Sequence, residues 1–167
     1  MILLGLGSNK GDRLENLRKA VSALGNVVRN IVCSPIYESN AMLPPDAPRE
    51  WDSKFLNMAL RCEADITPQQ LLTSVKTLEG NLGRTRSGYW GPREIDIDIL
   101  AFGDMVVNEK HLIIPHKYLL MRDFALIPFA DIAPDWAYPV AGEFLGMKAK
   151  DLAANLALGL TKTEFEI

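Results

Sequence analysis

Alternation in two segments far apart in sequence is the feature that most limits how this chain can fold. Over residues 94–99, Ile95, Ile97 and Ile99 alternate with Glu94, Asp96 and Asp98. Over residues 55–64, Leu56, Met58, Leu60, Cys62 and Ala64 alternate with Phe55, Asn57, Ala59, Arg61 and Glu63. A period of two marks a strand with one face buried. A sheet holding both segments needs helices over its apolar face and keeps polar groups on the other. The isoleucines, Leu56, Met58 and Leu60 are expected on the covered face. Asp96, Asp98, Asn57 and Phe55 are then expected together on the open one.

Helix and turn signals fill the intervals. Residues 2–7 read as a short buried strand. Asp12 is placed to cap a helix, with Glu15 as its capping-box partner, and Leu14, Leu17, Val21 and Leu24 follow at helical spacing up to Gly25. Residues 27–37 are β-branched and strand-like. Residues 38–54 hold three prolines and no period, which predicts a long loop, functional or disordered. Thr67, Pro68 and Gln70 start a second helix, with a stripe of Leu71, Leu72, Val75, Leu78 and Leu82 and a stop at Gly83. Residues 84–93 form a second loop, and the Asp-bearing strand runs to about Phe102. A helical run near 119–127 and a helix near 149–158 follow. The order strand, helix, strand, strand, helix, strand predicts an α+β fold: a ferredoxin-like βαββαβ core, helices on one face of an antiparallel sheet, with C-terminal additions.

A length of 167 residues suits one domain, expected over 1–160, with 161–167 as a polar tail or a linker. The net charge of −3 argues against a nucleic-acid partner, which calls for a basic surplus. No apolar run approaches the roughly 18 residues needed to span a membrane, and the start lacks a basic leader of the secretory kind. Cys33 and Cys62 each lie in an apolar run, as buried thiols in a reducing compartment do. A cytoplasmic location is expected.

The acidic pair carries the chemistry. Residues i and i+2 on one strand face lie about 6.5–7 Å apart at Cα, so their carboxylates can share a cation. Magnesium is often held by only one or two carboxylates, with substrate phosphates and water completing its shell. Asp-x-Asp alone is equally a solvated strand face. Arg84, Arg86 and Arg93, with Tyr89 and Trp90, shift the balance. Guanidinium forks clamp phosphates, and carboxylate-held metal beside cationic clamps recurs in phosphoryl transfer. A phosphatase of the haloacid dehalogenase type would place Thr or Val where Leu100 stands. Residues 5–11, Gly-Leu-Gly-Ser-Asn-Lys-Gly, are not a P-loop, and their match to a dinucleotide fingerprint has an extra residue before the last glycine. Taken singly, His116, Arg122, Phe124 and Glu79 read as ordinary structural or surface residues.

Residues 90–100, Trp-Gly-Pro-Arg-Glu-Ile-Asp-Ile-Asp-Ile-Leu, closely resemble the signature of the 6-hydroxymethyl-7,8-dihydropterin pyrophosphokinases of folate synthesis. So do residues 5–12 and Phe-Leu-Asn-Met-Ala at 55–59. The resemblance runs to about residue 160. It implies a ferredoxin-like fold and transfer of diphosphate from ATP to the pterin hydroxymethyl group, with release of AMP. It implies that Asp96 and Asp98 bind two Mg²⁺ ions and that Arg84 and Arg93 hold the transferring phosphates, these four being the catalytic set. Glu79, Trp90, His116 and Arg122 join the two arginines near ATP. Ser39, Asn57, Trp90 and the rings of Phe55 and Phe124 hold the pterin. Phe55 stands where the family often has tyrosine, and Lys117 where an aromatic can occur. The implied partners are these small molecules, with fusion to, or work beside, the next folate-pathway enzyme as a further expectation. A non-catalytic nucleotide-binding module is the alternative.

Overall fold

A computed structural model describes residues 1–84, 90–156 and 159–167. At its centre is β1 (Ile2–Ser8), which leads through Asp12 into α1 (Arg13–Leu24). The Asp12 carboxylate accepts from the Glu15 N–H at 3.0 Å, while the Glu15 side chain turns to Lys19, 3.8 Å away, rather than back to the cap. Residues 27–37 do not form one strand. They divide into β2 (Arg29–Cys33) and the start of β3 (Tyr37–Ser39). Ser34 causes the break, its backbone N–H and its hydroxyl both occupied by Ala59, and Pro35 has no N–H to extend the ladder. Both strands lie along the same edge of β4 (Phe55–Glu63).

The second helix, α2 (Pro68–Asn81), opens on a complete capping box. Gln70 N–H donates to Thr67 Oγ1 at 3.2 Å, and Thr67 N–H donates to Gln70 Oε1 at 2.8 Å. Leu82 caps it, and Gly83 (φ +86°) turns the chain away in a conformation that suits only glycine well. Then come β5 (Asp96–Phe102) and a small hairpin of β6 (Val107–Glu109) and β7 (Leu112–Ile114). The expected helical run near 119–127 is a 3₁₀ turn at Leu119–Met121, an extended Arg122, and then α3 (Asp123–Ile132). Pro128 lies inside α3; burial of Phe129 and Ile132 carries the helix past it despite the lost backbone bond. Finally α4 (Ala149–Ala154) ends before residue 158, and β8 (Leu160–Lys162) brings the beginning of the polar tail onto β3.

Among the described residues the result is a mixed fold of four helices on an antiparallel sheet in the order β5-β1-β4-β3-β8, with β2 also on β4. One face packs Leu4, Leu6, Leu56, Met58, Leu60, Ile97 and Ile99 against Leu17 and Leu24 of α1 and Leu71 and Val75 of α2. The other face is only partly covered. There Leu3, Ala59, Leu100 and Ala101 meet Leu126, Phe129, Trp136 and Leu152, from α3, α4 and the segment between them. A register shift between Leu3 and Leu4 leaves Leu100 as the extra residue of β5, so Leu100 and Ala101 both enter this second core. Asp96 and Asp98, on the near side of the bulge, stay in the uncovered part.

Candidate active site

The uncovered part of the sheet is the floor of a pocket. Its wall includes Ser39, Phe55, Asn57, Trp90, Arg93, Asp96, Asp98, His116, Arg122 and Phe124, drawn from five separate stretches of chain. Gly5 and Gly7 keep the floor low. A Cβ on Gly7 would lie 3.3 Å from Asn57 Oδ1 and 3.6 Å from the Phe55 ring, and one on Gly5 would lie 3.2 Å from Leu100. Glycines two apart in a strand, read at first only as part of a buried run, were the signal for this close approach.

One end of the pocket is charged. Arg84 donates to Asp96 Oδ1 at 2.7 Å and Arg93 to Asp96 Oδ2 at 2.8 Å. Burial pushes the Asp96 carboxyl upward, but the two guanidiniums outweigh it and hold Asp96 below its ordinary value. Asp98 is different. Burial first and the neighbouring Asp96 charge second raise its carboxyl to about 6. Its one ion pair among the described residues is Lys76, 4.0 Å away. Glu79 is not on a solvated helix face. It is buried at the outer edge of β5, where it accepts from Ile97 N–H at 2.7 Å and pairs with Arg84 and Lys76. Burial raises its carboxyl despite those cations.

Around Asn57 the opposite end is uncharged. Asn57 Nδ2 donates to Ser39 Oγ at 2.9 Å, and both side chains are buried. That bond fixes the amide and turns Oδ1 toward Gly7. Arg122 lies over the rings of Tyr118 (4.5 Å) and Phe124 (5.6 Å), so Tyr118, one residue beyond Lys117, supplies an aromatic support. His116 accepts from Tyr118 N–H at Nδ1 (3.4 Å). Burial, with Arg122 and Lys117 nearby, lowers it to about 4 and keeps it neutral. A second hollow runs along the outer edge of β5, lined by Lys76, Lys110, His111 and Lys117; Asp98 and His116 border both.

The contacts of Asn9 and Lys10, and the place of Lys76, have no counterpart in the sequence analysis. Asn9 holds both backbone groups of Arg93, donating to its C=O at 3.2 Å and accepting from its N–H at 2.8 Å, and Lys10 pairs with Glu94 at 2.7 Å. The glycine-rich turn therefore pins the entry to β5, a contact no local pattern reveals. The spacing of Lys76 to Glu79 on α2 could have pointed to Lys76. Arg86 and Tyr89 lie outside the described residues.

Among the described residues no group of three or more His, Cys, Asp or Glu could enclose a metal. The pair Asp96 and Asp98 offers two hard oxygen donors to one wall of the pocket, a set that suits Mg²⁺ only with ligand oxygens and water completing the shell. No helix of the described chain is long and apolar enough to cross a membrane.

Residues 3–134 match the family model described as 7,8-dihydro-6-hydroxymethylpterin-pyrophosphokinase. The chain is 40% identical over 139 residues to the 2-amino-4-hydroxy-6-hydroxymethyldihydropteridine pyrophosphokinase of Aquifex aeolicus, covering 83% of this chain and 84% of that one. It is 37% identical over 157 residues to the folate synthesis bifunctional protein of Chlamydia muridarum, covering 92% of this chain and 35% of that one. The crystal structure of Plasmodium falciparum HPPK-DHPS with pteroate superposes with a TM-score of 0.69 at 14% identity, over 96% of this chain and 47% of that one, a likeness of fold. With the family model spanning most of the chain and the Aquifex relative matched over most of both lengths, the chain belongs to the 7,8-dihydro-6-hydroxymethylpterin pyrophosphokinase family.

Proposed function

We propose that the chain transfers diphosphate from ATP to the hydroxymethyl group of 6-hydroxymethyl-7,8-dihydropterin, releasing AMP, as a step of folate synthesis. One observation carries the assignment of roles: the ion pair of Asp96 and Arg93, with Arg84 bonded to Asp96 from outside the pocket wall, shares a pocket with a fixed amide and two phenylalanine rings. In the reaction a bond forms from the hydroxymethyl oxygen to the β-phosphorus, the hydroxyl proton passes to a base or to water, and the bond to the α–β bridging oxygen breaks, its electrons leaving with AMP. This asks for alignment and charge neutralisation more than for covalent help.

Asp96 and Asp98 would hold Mg²⁺, two ions in this reading, which supplies positive charge to the phosphates when bound. Arg84 and Arg93 hold phosphate oxygens as bidentate donors. Glu79 keeps Arg84 in place, and Trp90 closes over the ligands. His116 and Arg122 sit by the nucleotide, whose anionic part suits the basic hollow along β5. At the other end, Asn57 Oδ1 accepts from the pterin ring with Ser39 fixing its amide, and Phe55 and Phe124 stack on the ring's faces. In the metal-free chain Asp98, not Asp96, is the carboxylate that takes a proton near neutrality.

The same reading makes the sheet a ferredoxin-like βαββαβ core. The order β5-β1-β4 with β2 and β3 beyond, and α1 and α2 on one face, supports it. It takes 1–160 as one catalytic domain working in the cytoplasm, either beside the next folate enzyme or fused to it, as the name of the bifunctional Chlamydia relative suggests. Incubation with ATP, Mg²⁺ and hydroxymethyldihydropterin tests the proposal. AMP should form in step with pterin diphosphate and stop when EDTA is added. ATP binding without AMP would favour the non-catalytic module.

A further inference from the structure

Two carboxylates on one strand face repel unless a cation lies between them. In the ligand-free chain that cation is Lys76. Its Nζ is 4.0 Å from Asp96 Oδ1 and 4.0 Å from Asp98 Oδ1. It also donates to Glu79 Oε1 at 2.8 Å and to the Ile97 carbonyl at 3.1 Å. Of the other cations, Arg84 pairs with Glu79 and Asp96, Arg93 pairs with Asp96, and Arg122 acts on Asp98 from beyond ion-pair distance. The two short contacts of Lys76 anchor it at the edge of β5, and the two long ones cost little to break. Its side chain is 44% exposed, so the ammonium can withdraw toward solvent without leaving Glu79.

We infer that Lys76 is a resident counter-ion that competes with a divalent cation for the Asp96–Asp98 pair, so that the chain alone holds metal weakly. The inference rests on the proposed reading of that pair as the Mg²⁺ site. To let these carboxylates hold a divalent ion, Lys76 would have to give up its two long contacts while keeping its bonds to Glu79 and the Ile97 carbonyl. Lys76 is thus a positioning residue. It preserves the spacing of the carboxylates when metal is absent and makes metal binding depend on the phosphates that arrive with the nucleotide.

Mn²⁺ titration followed by electron paramagnetic resonance tests this, on wild type, Lys76→Met and Lys76→Arg, each with and without α,β-methylene ATP. Without nucleotide, Lys76→Met should bind Mn²⁺ about tenfold more tightly than wild type, a modest factor because the ammonium is partly screened by solvent. Lys76→Arg should stay within about twofold of wild type, since the charge is kept. A merely structural role would weaken metal binding in Lys76→Met, and unchanged or weaker binding overturns the inference. If Lys76→Met fails to fold because Glu79 is left charged and buried, the pair Lys76→Met with Glu79→Gln removes that charge and should show the same tightening. Wild type that takes no Mn²⁺ even with the nucleotide analogue would sink the metal reading itself. Binding by wild type with no gain in Lys76→Met or in its pair with Glu79→Gln sinks only the role of Lys76.

Discussion

The two ends of the pocket are built by opposite means. At the charged end, Glu79, Asp96 and Asp98 are balanced by Lys76, Arg84 and Arg93, and the positions of the side chains depend on mutual neutralisation. At the neutral end, a buried amide bonded to a buried hydroxyl stands beside two rings and a floor of glycine. The first end can rearrange, because its side chains are held by ion pairs that an incoming charge can displace. The second is set before any ligand arrives. A lesion at the charged end should therefore appear in kcat, and a lesion at the neutral end in pterin KM and in stability.

Asp98→Ala is the largest expected effect. Metal-borne charge stabilisation is worth several kcal/mol, so turnover should fall by about 10⁴-fold or more. The fold should survive, because Asp98 borders solvent and suffers the charge of Asp96. Steady-state kinetics beside urea unfolding checks both halves, and near-wild-type turnover would refute the metal role. Next comes Arg84→Ala, expected to lower kcat by about 10³-fold with a smaller change in KM, as for other phosphate-stabilising arginines. A change confined to KM would mean that Arg84 binds the ground state, and the contrast between the two ends would fail.

Much of this arrangement was legible in the sequence. Alternation assigned Asp96, Asp98, Asn57 and Phe55 to one face, and all four line the pocket. The capping box at Thr67 forms as read. What stayed hidden depends on tertiary contacts. The break at Ser34 needs Ala59 as partner, and α3 runs through Pro128 because its apolar face is buried. The bulge at Leu100, the grip of Asn9 on Arg93 and the place of Lys76 between two carboxylates each join segments far apart in sequence. The resemblance assigned roles to residues of the pocket, but the hold of Asn9 on Arg93 and the bulge at Leu100 show only in the fold.

A middle-sized effect probes the neutral end. Ser39→Ala removes the acceptor of Asn57 Nδ2, leaving a buried donor unsatisfied, at a cost of about 1–3 kcal/mol. Urea unfolding should register that loss. The freed amide should raise pterin KM by about tenfold, since a factor of ten corresponds to roughly 1.4 kcal/mol, while kcat changes little. A collapse of kcat with KM unchanged would show that this end, too, acts in the transition state.

The smallest effect is a cancellation that two substitutions can expose. His116 falls from an ordinary 6.5 to about 4, so between those pH values the unfolded chain binds the proton and stability is lost as pH falls. Asp98 rises from 3.8 to about 6, so between those values the folded chain binds the proton and stability is gained as pH falls. The two slopes oppose each other over nearly the same window, on groups that border the same hollow. In EDTA, wild-type stability should owe little net pH dependence to this pair between about pH 6 and 4. His116→Gln should leave the Asp98 slope alone, so the variant gains stability relative to wild type on acidification. Asp98→Asn should do the reverse, losing ground to wild type over the same range. Urea midpoints at pH 6.5, 5.5 and 4.5 separate the three proteins. Parallel curves would mean that neither group is perturbed as its surroundings demand, and that burial at this border of the pocket is weaker than the packing implies.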